Sequence, residues 1–141
     1  MYIDKELEMD EGNALVRAAG TYYSYNWIDL GPDGNKLVGQ EPYLMVRVGE
    51  AFATGTSVAF ELVSASTKPT DTTGAGIAGE KVELSSGVIL TASLTKDTYV
   101  FKARLPEKIS GRYLGMKYTA AGASAFTTGT IDAFLTPQAQ V

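Results

Sequence analysis

The stretch Tyr113-Leu-Gly-Met-Lys-Tyr-Thr119 is followed by a Gly/Ala/Ser loop and then by Thr130-Ile-Asp-Ala-Phe-Leu135. Each run alternates large apolar residues with small or polar ones, and the residues between the runs favour turns. Because successive side chains of a strand point to opposite faces, this pattern predicts two neighbouring strands with one buried face.

The rest of the chain continues this pattern of short strands. Gly or Pro separates most of the runs, and no long helical periodicity interrupts them. The sequence therefore predicts an all-β fold, a jelly-roll-like antiparallel β-sandwich of about eight short strands with residues 21–141 as its single domain. The further strand-like runs are Tyr43–Val48, Val58–Val63, Val82–Leu84, Val88–Leu94 and Thr98–Leu105.

The pattern of apolar and polar residues also predicts which residues form the hydrophobic core and which form a surface loop. Residues 64–81 form the longest stretch of small and polar residues, which indicates a loop. The residues expected to be largely buried are Phe60, Leu62, Leu90, Phe101, Leu114, Met116, Tyr118, Ile131 and Phe134.

Residues 1–20 differ from the rest of the chain. From Ile3 to Asp10, acidic residues occupy the even positions and mostly apolar residues the odd ones, which favours an extended arm over a helix. A frayed terminus with solvated charges is the alternative. Residues 13–19 are expected to form a short helix or turn that ends at Gly20. If the arm lies on a partner, its contact residues are Tyr2, Ile3, Leu7 and Met9.

Residues 21–27 contain four of the chain's aromatic residues: Tyr22, Tyr23, Tyr25 and Trp27. In a strand, Tyr23, Tyr25 and Trp27 would share one face and Tyr22 would lie on the other. Two interpretations remain open. The rings either pack in the core and across strands, or form a partner-binding surface, since Tyr and Trp are enriched where proteins dock.

The composition excludes several kinds of chemistry. The chain has no cysteine and no histidine, so it has no disulfide, no thiolate metal site and no imidazole base. Five acids and one base lie in residues 1–11 and account for the net charge of −4, which leaves the body neutral. A neutral body argues against nucleic-acid binding. No apolar run reaches the roughly 18 residues that a membrane helix needs.

Two local motifs are better explained by turns and loops. Residues 74–79, Gly-Ala-Gly-Ile-Ala-Gly, satisfy the dinucleotide pattern literally but lack the preceding strand and following helix that it requires. Residues 29–35 contain two acids but not the alternating ligand spacing of a calcium loop. We therefore expect no catalytic residue, no bound metal and no cofactor, and not an enzyme.

Several segments, taken in order, resemble the capsid cement or decoration proteins of short-tailed bacteriophages, of the Bordetella-phage type. The resemblance extends over nearly the whole chain and implies a jelly-roll protein that forms a homodimer or a higher oligomer. It further implies a virion protein that binds the major capsid protein on the outer capsid surface, after synthesis in the host cytoplasm. The segments are Met1–Leu7, Ile28–Gly31, Gly39–Val48, Ala51–Phe52, Leu105–Pro106, Gly111–Leu114, Tyr118–Thr119 and Thr130–Leu135.

Two alternatives stay open at the level of sequence. One is a carbohydrate- or receptor-binding β-sandwich of a phage particle, in which the aromatic residues of segment 21–27 would stack on a sugar. The other is an enzyme that works without histidine. Neither has a motif of its own in the chain.

Overall fold

The computed structural model describes residues 8–31, 42–70, 73, 76–106 and 109–136. In these ranges the chain forms nine strands and one turn of 3-10 helix at Thr91–Ser93. No helix in the described part of the chain is long and apolar enough to cross a membrane. The strands are β1 Glu8–Ala14, β2 Gly20–Tyr23, β3 Ile28–Asp29, β4 Tyr43–Ala53, β5 Ser57–Ala65, β6 Lys81–Leu90, β7 Tyr99–Arg104, β8 Tyr113–Ala121 and β9 Thr128–Thr136.

The strands form two antiparallel sheets. The first sheet has the order β1-β9-β4-β7, and the second has the order β2-β8-β5-β6 with β3 also paired to β8. If the two-residue β3 is set aside, the first strand pairs with the last and the second with the next to last. The third and sixth strands also pair, as do the fourth and fifth. This nested antiparallel pairing is a rolled-up hairpin, the jelly roll that the sequence predicts.

The main core lies between the sheets and follows the alternation along each strand. On β8, Leu114, Met116 and Tyr118 are fully buried and point inward. Phe60 of β5 meets Tyr118 edge to face, with the ring centroids 5.7 Å apart. A second edge-to-face pair, Phe52 and Phe126, has centroids 5.0 Å apart. These contacts bury the large side chains that contribute most to the hydrophobic free energy of folding.

Most of the predicted core is confirmed. Phe60, Leu62, Leu114, Met116, Tyr118, Ile131 and Phe134 are all buried. Phe134 lies opposite Met45 in the ladder, on the outer face of the first sheet, because it alternates with the inward-facing Ala133. Phe101 is only partly buried. The prediction for Leu90 is wrong, since its side chain is 61% exposed on an edge strand.

The short helix expected at residues 13–19 is not formed. Asn13 and Ala14 end β1 and pair with Ile131 and Thr130 of β9. The Leu15 N–H donates to the Gly129 carbonyl at 3.1 Å. Since these backbone groups are used in the sheet, they cannot form helical hydrogen bonds. The sandwich therefore includes β1, Glu8–Ala14, and is not confined to residues 21–141 as predicted.

Candidate functional site

The structure does not arrange the aromatic residues of segment 21–27 on one face. Strand β2 ends at Tyr23, and Tyr23 and Trp27 are buried while Tyr25 is 52% exposed. Tyr22 donates its hydroxyl to the Ala18 carbonyl at 2.7 Å. The predicted shared face of Tyr23, Tyr25 and Trp27 is therefore wrong.

Ser24, the residue after β2, explains why the strand stops at Tyr23. Its N–H donates to the Met116 carbonyl, and its hydroxyl oxygen accepts from the Met116 N–H at 3.1 Å. The same hydroxyl donates to the Asn26 carbonyl. Because the Ser24 hydroxyl, and not a backbone carbonyl, accepts the hydrogen bond from the Met116 N–H, the chain turns away from β8 after Tyr23.

Tyr23 and Trp27 form a second, smaller hydrophobic cluster on the outer face of the second sheet, together with Val63 and Ala65. Their rings meet edge to face, with centroids 5.5 Å apart. A Cβ on Gly115 would overlap the indole of Trp27, so the glycine is what lets the ring lie against β8. The clustered aromatics are thus used largely for packing, as the first of the two interpretations held.

The loop between β5 and β6 lies over this second cluster. Ser66 donates its N–H to the Ala78 carbonyl at 3.0 Å, and Ile77 packs against the cluster. The predicted loop of residues 64–81 is shorter than expected, because Ser64 and Ala65 belong to β5 and Lys81 to β6.

A polar network fixes the end of this loop. Glu80 accepts a hydrogen bond from the Tyr23 hydroxyl and another from Lys117 Nζ at 2.7 Å. Burial and the Glu80 carboxylate raise the pKa of Tyr23 to about 12. Burial acts to raise the pKa of Glu80, but the bonds from Lys117 and Tyr23 and the charge of Lys117 hold it below its usual value. The network is therefore a paired structural anchor at the end of the loop.

A cleft of about 300 Å³ opens where the loop crosses segment 24–27. The Trp27 Nε1 is buried without a hydrogen-bond partner. Among the described residues, no group of three or more carboxylates is placed to hold a metal ion. The cleft is lined by Ser24, Tyr25, Asn26, Trp27, Lys68, Pro69 and Thr70.

The N-terminal segment is only partly described. Tyr2, Ile3 and Leu7, predicted as partner contacts, lie outside the described residues. Met9 is fully buried in the main core, so the prediction that it faces a partner is wrong. Its strand is held in place by the ladder with β9.

Asp10, placed by the sequence pattern on the acidic face of an extended arm, is instead buried with 1% exposure. It accepts hydrogen bonds from the Tyr118 hydroxyl at 2.5 Å and from the Tyr25 N–H at 2.9 Å. Burial raises the pKa of Asp10 to about 6, since the charged carboxylate is desolvated, and the charge of Asp132 acts in the same direction. The hydrogen bonds from Tyr118, Tyr25 and Asn13 act to lower it.

The edge strands β1 and β2 define what we call the closed side of the sandwich. Asn26 donates its N–H to the Met9 carbonyl at 3.0 Å, so segment 24–26 covers part of the β1 edge. Strand β2 is only four residues long, and Tyr22 forms a bridge with Thr73. Short or covered edges are a common protection against unwanted strand pairing.

The edge strands β6 and β7 define the open side. Strand β7 has six residues and exposes Lys102 and Arg104, and charges of this kind also discourage pairing. Strand β6 has ten residues and exposes Val82, Val88 and Leu90, by 46%, 71% and 61%. The first half of β6 carries Lys81 and Glu83, so it is the second half, with Val88 and Leu90, that presents an uncharged apolar edge.

The main core is also less well covered on the open side. The partly buried apolar residues that pack against it come from β6, β7 and the segment after β7: Leu84, Ile89, Val100, Phe101 and Ile109. The sequence analysis missed this surface. Its signal is the run from Leu84 to Thr95, which contains strongly apolar residues and no charge.

The fold defines a class of protein, a jelly-roll sandwich, an architecture also used by viral capsid domains. Residues 11–135 match the Bbp16 family model, so the chain belongs to the Bbp16 family. The family name indicates a protein of a Bordetella bacteriophage. The match begins within β1 and ends within β9. No curated protein is similar enough to the chain to count as a match.

Proposed function

We propose that this protein is a capsid cement protein, which binds the outer surface of a phage shell and stabilises contacts between major capsid subunits. Membership of a bacteriophage family and the jelly-roll fold support the proposal, as does the resemblance of the sequence to cement proteins. In this role the protein works as a virion component, as a homodimer, without catalysis or a cofactor.

The observation that carries the proposal is the open side. Val88 and Leu90 are exposed on a long edge strand, and the core behind them is only partly covered. Exposed apolar surface of this kind is costly in water and marks sites of protein association. A cement protein needs such contact surfaces and no reactive groups, and many weak contacts per shell add up through multivalency.

The aromatic residues of segment 21–27 give little support to the carbohydrate-binding alternative. Tyr23 and Trp27 are buried in the second cluster, and Arg17 lies over the ring of Tyr22 at 4.9 Å. Only Tyr25 among these four rings is more than half exposed. A stacking platform made of several rings is therefore not formed by these residues.

The proposal is tested by adding the purified protein to phage shells assembled without it. We expect saturable co-sedimentation with the shells and a higher temperature of shell disruption. The control is the same shell preparation already carrying its full complement of the protein, which should take up no more. If the protein stays in the supernatant at all concentrations, the cement role is excluded. Binding of the isolated protein to glycans would instead favour the alternative.

A further inference from the structure

The cleft between segment 24–27 and the loop after β5 contains a buried donor without an acceptor. Trp27 lines the cleft, and its Nε1 is the one buried side-chain donor in the described chain that has no hydrogen-bond partner. Most buried donors in proteins are paired with protein, water or ligand, because an unpaired one is costly. The indole therefore requires an acceptor that the described residues do not supply.

Tyr25 adds a second donor at the rim of the cleft. Its side chain is 52% exposed, and its hydroxyl oxygen accepts a hydrogen bond from the Arg17 guanidinium at 3.4 Å. Because that bond uses a lone pair of the oxygen, the hydroxyl proton stays available to donate. The backbone of Tyr25 is fixed beside the cleft, since its N–H donates to the buried Asp10 carboxylate at 2.9 Å.

Lys68 supplies positive charge to the cleft. Its ammonium group lies 5.7 Å from the centre of the Tyr113 ring and makes no ion pair with a described residue. Arg112 also lies over this ring, at 5.1 Å, but its guanidinium is paired with both carboxylate oxygens of Asp29. Among the described residues that line the cleft, none is acidic. The charge of Lys68 is therefore not compensated within the described part of the site.

We propose that this cleft is a binding site for a carboxylate. A carboxylate has two acceptor oxygens and a negative charge, so it can accept from the Trp27 and Tyr25 donors and pair with Lys68. The volume of about 300 Å³ is at the lower end of the range for small-ligand sites, which suits an acidic side chain or a small acid. A neutral sugar would leave the charge of Lys68 without a partner. The inference goes beyond the proposed function, because it concerns the isolated protein with or without a shell.

An acceptor reaches the indole nitrogen only when the rim of the cleft adjusts. The Nε1 is covered in the structure, whereas Tyr25 and Lys68 at the rim are exposed. Side-chain rotamer changes of this kind are common when a ligand binds to a preformed backbone. Binding should therefore be detected at the indole N–H itself.

A titration with sodium acetate tests the inference. Because Trp27 is the single tryptophan, its indole N–H gives one identifiable signal in a proton–nitrogen correlation spectrum. We expect acetate to shift this signal in a saturable way, and sodium chloride at equal ionic strength to leave it in place. Acetamide, which has nearly the same shape but no charge, should bind at least about 5-fold more weakly. A shift that is equal with acetate and chloride, or that does not saturate, would overturn the inference as a general salt effect.

Two exposed lysines provide matched variants. Lys68→Gln should raise the acetate dissociation constant at least about 5-fold, whereas Lys96→Gln, at an exposed lysine outside the cleft lining, should leave it unchanged. Neither lysine is buried, so we expect both variants to fold, and an unchanged tryptophan emission maximum without acetate checks this. Tyr25→Phe keeps the ring, removes the hydroxyl donor and should also weaken binding. Equal acetate affinity in the two lysine variants would mean that the cleft does not hold the carboxylate.

The source of the carboxylate is distinguished with a blocked glutamyl peptide, whose only charge is its side-chain carboxylate. Tighter binding of this peptide than of acetate would support the site and identify its ligand as an acidic side chain of another protein. Equal affinity for the two would support the site and identify a small free acid. The matched glutaminyl peptide has no charge and should not bind. Equal shifts with the glutamyl and glutaminyl peptides would overturn the carboxylate assignment.

Discussion

The closed and open sides of the sandwich differ in how far their edge strands are covered by the rest of the chain. On the closed side, segment 24–26 bonds to Met9 and Asp10, and both residues are buried. On the open side, Val88 and Leu90 are exposed and no strand of the described chain covers β6. The comparison teaches that one fold can bury one sheet edge within its own chain and leave another apolar edge exposed. Substitutions on the two sides should therefore have separable effects.

The largest expected effect is on the closed side. Met9→Ala removes a fully buried side chain from the main core and should lower the free energy of unfolding by about 2–5 kcal/mol. Urea denaturation measures the change, and Val88→Ala in dilute protein is the control from the open side. A loss below about 1 kcal/mol would mean that β1 contributes little to the core.

A smaller loss of stability is expected when an added side-chain atom overpacks the second cluster. Gly115→Ala places a Cβ against the indole of Trp27 and should cost about 1–3 kcal/mol through overpacking. Trp27 is the single tryptophan, so its fluorescence should shift to the red as the ring becomes more exposed. Thr119→Ala, on the same face of β8, should leave the emission unchanged. Unchanged emission in both variants would contradict the assigned packing.

The pH dependence of stability tests Asp10. Its pKa is about 6 in the folded protein and near 3.8 otherwise, so the folded state binds the proton more tightly. The stability from this group is fully present below pH 3.8 and is lost as pH rises through about 6. Between pH 5 and pH 7.5 we expect the parent to lose about 1 kcal/mol more than Asp10→Asn. Parallel pH profiles for the two proteins would exclude this role of Asp10.

The smallest effect is expected on the open side. Leu90→Ser in dilute, monomeric protein should change the free energy of unfolding by less than about 0.5 kcal/mol, because the side chain is mostly exposed. A large loss in the monomer would show that Leu90 contributes to folding and would weaken the contrast between the two sides.

The strands β8 and β9 could be predicted from sequence because both have period-two alternation and most of their inward residues are buried. The prediction that they are neighbouring strands is wrong, because β8 lies in the second sheet and β9 in the first. The exposure of Leu90 could not be predicted from sequence. Alternation shows which face of a strand a residue lies on, but not whether the strand is central or at the edge of its sheet. Val88 and Leu90 alternate with Ile89 as a half-buried strand should. That β6 is an edge depends on strand order, which is a non-local property of the fold.

The same limit explains the error on Asp10. Its acidic neighbours in the sequence indicate an acidic face of an arm, whereas one of its hydrogen-bond donors is the hydroxyl of Tyr118, 108 residues away. In segment 21–27, alternation predicted one strand because nothing local shows that the Ser24 hydroxyl takes a ladder position opposite Met116. In both cases hydrogen bonds with a residue distant in the sequence decide the local structure.

The nested pairing of the strands has a consequence for the order of folding. Only β5 and β6 among the four nested pairs are close neighbours in sequence, whereas Glu8 pairs with Phe134 near the other end of the described chain. Closing long loops is entropically costly and slows folding, so the inner hairpin should form first and β1–β9 last. Strand β6 would then be present with an uncovered apolar edge during most of folding. Crowded refolding should for this reason favour aggregation through the exposed apolar edge of β6.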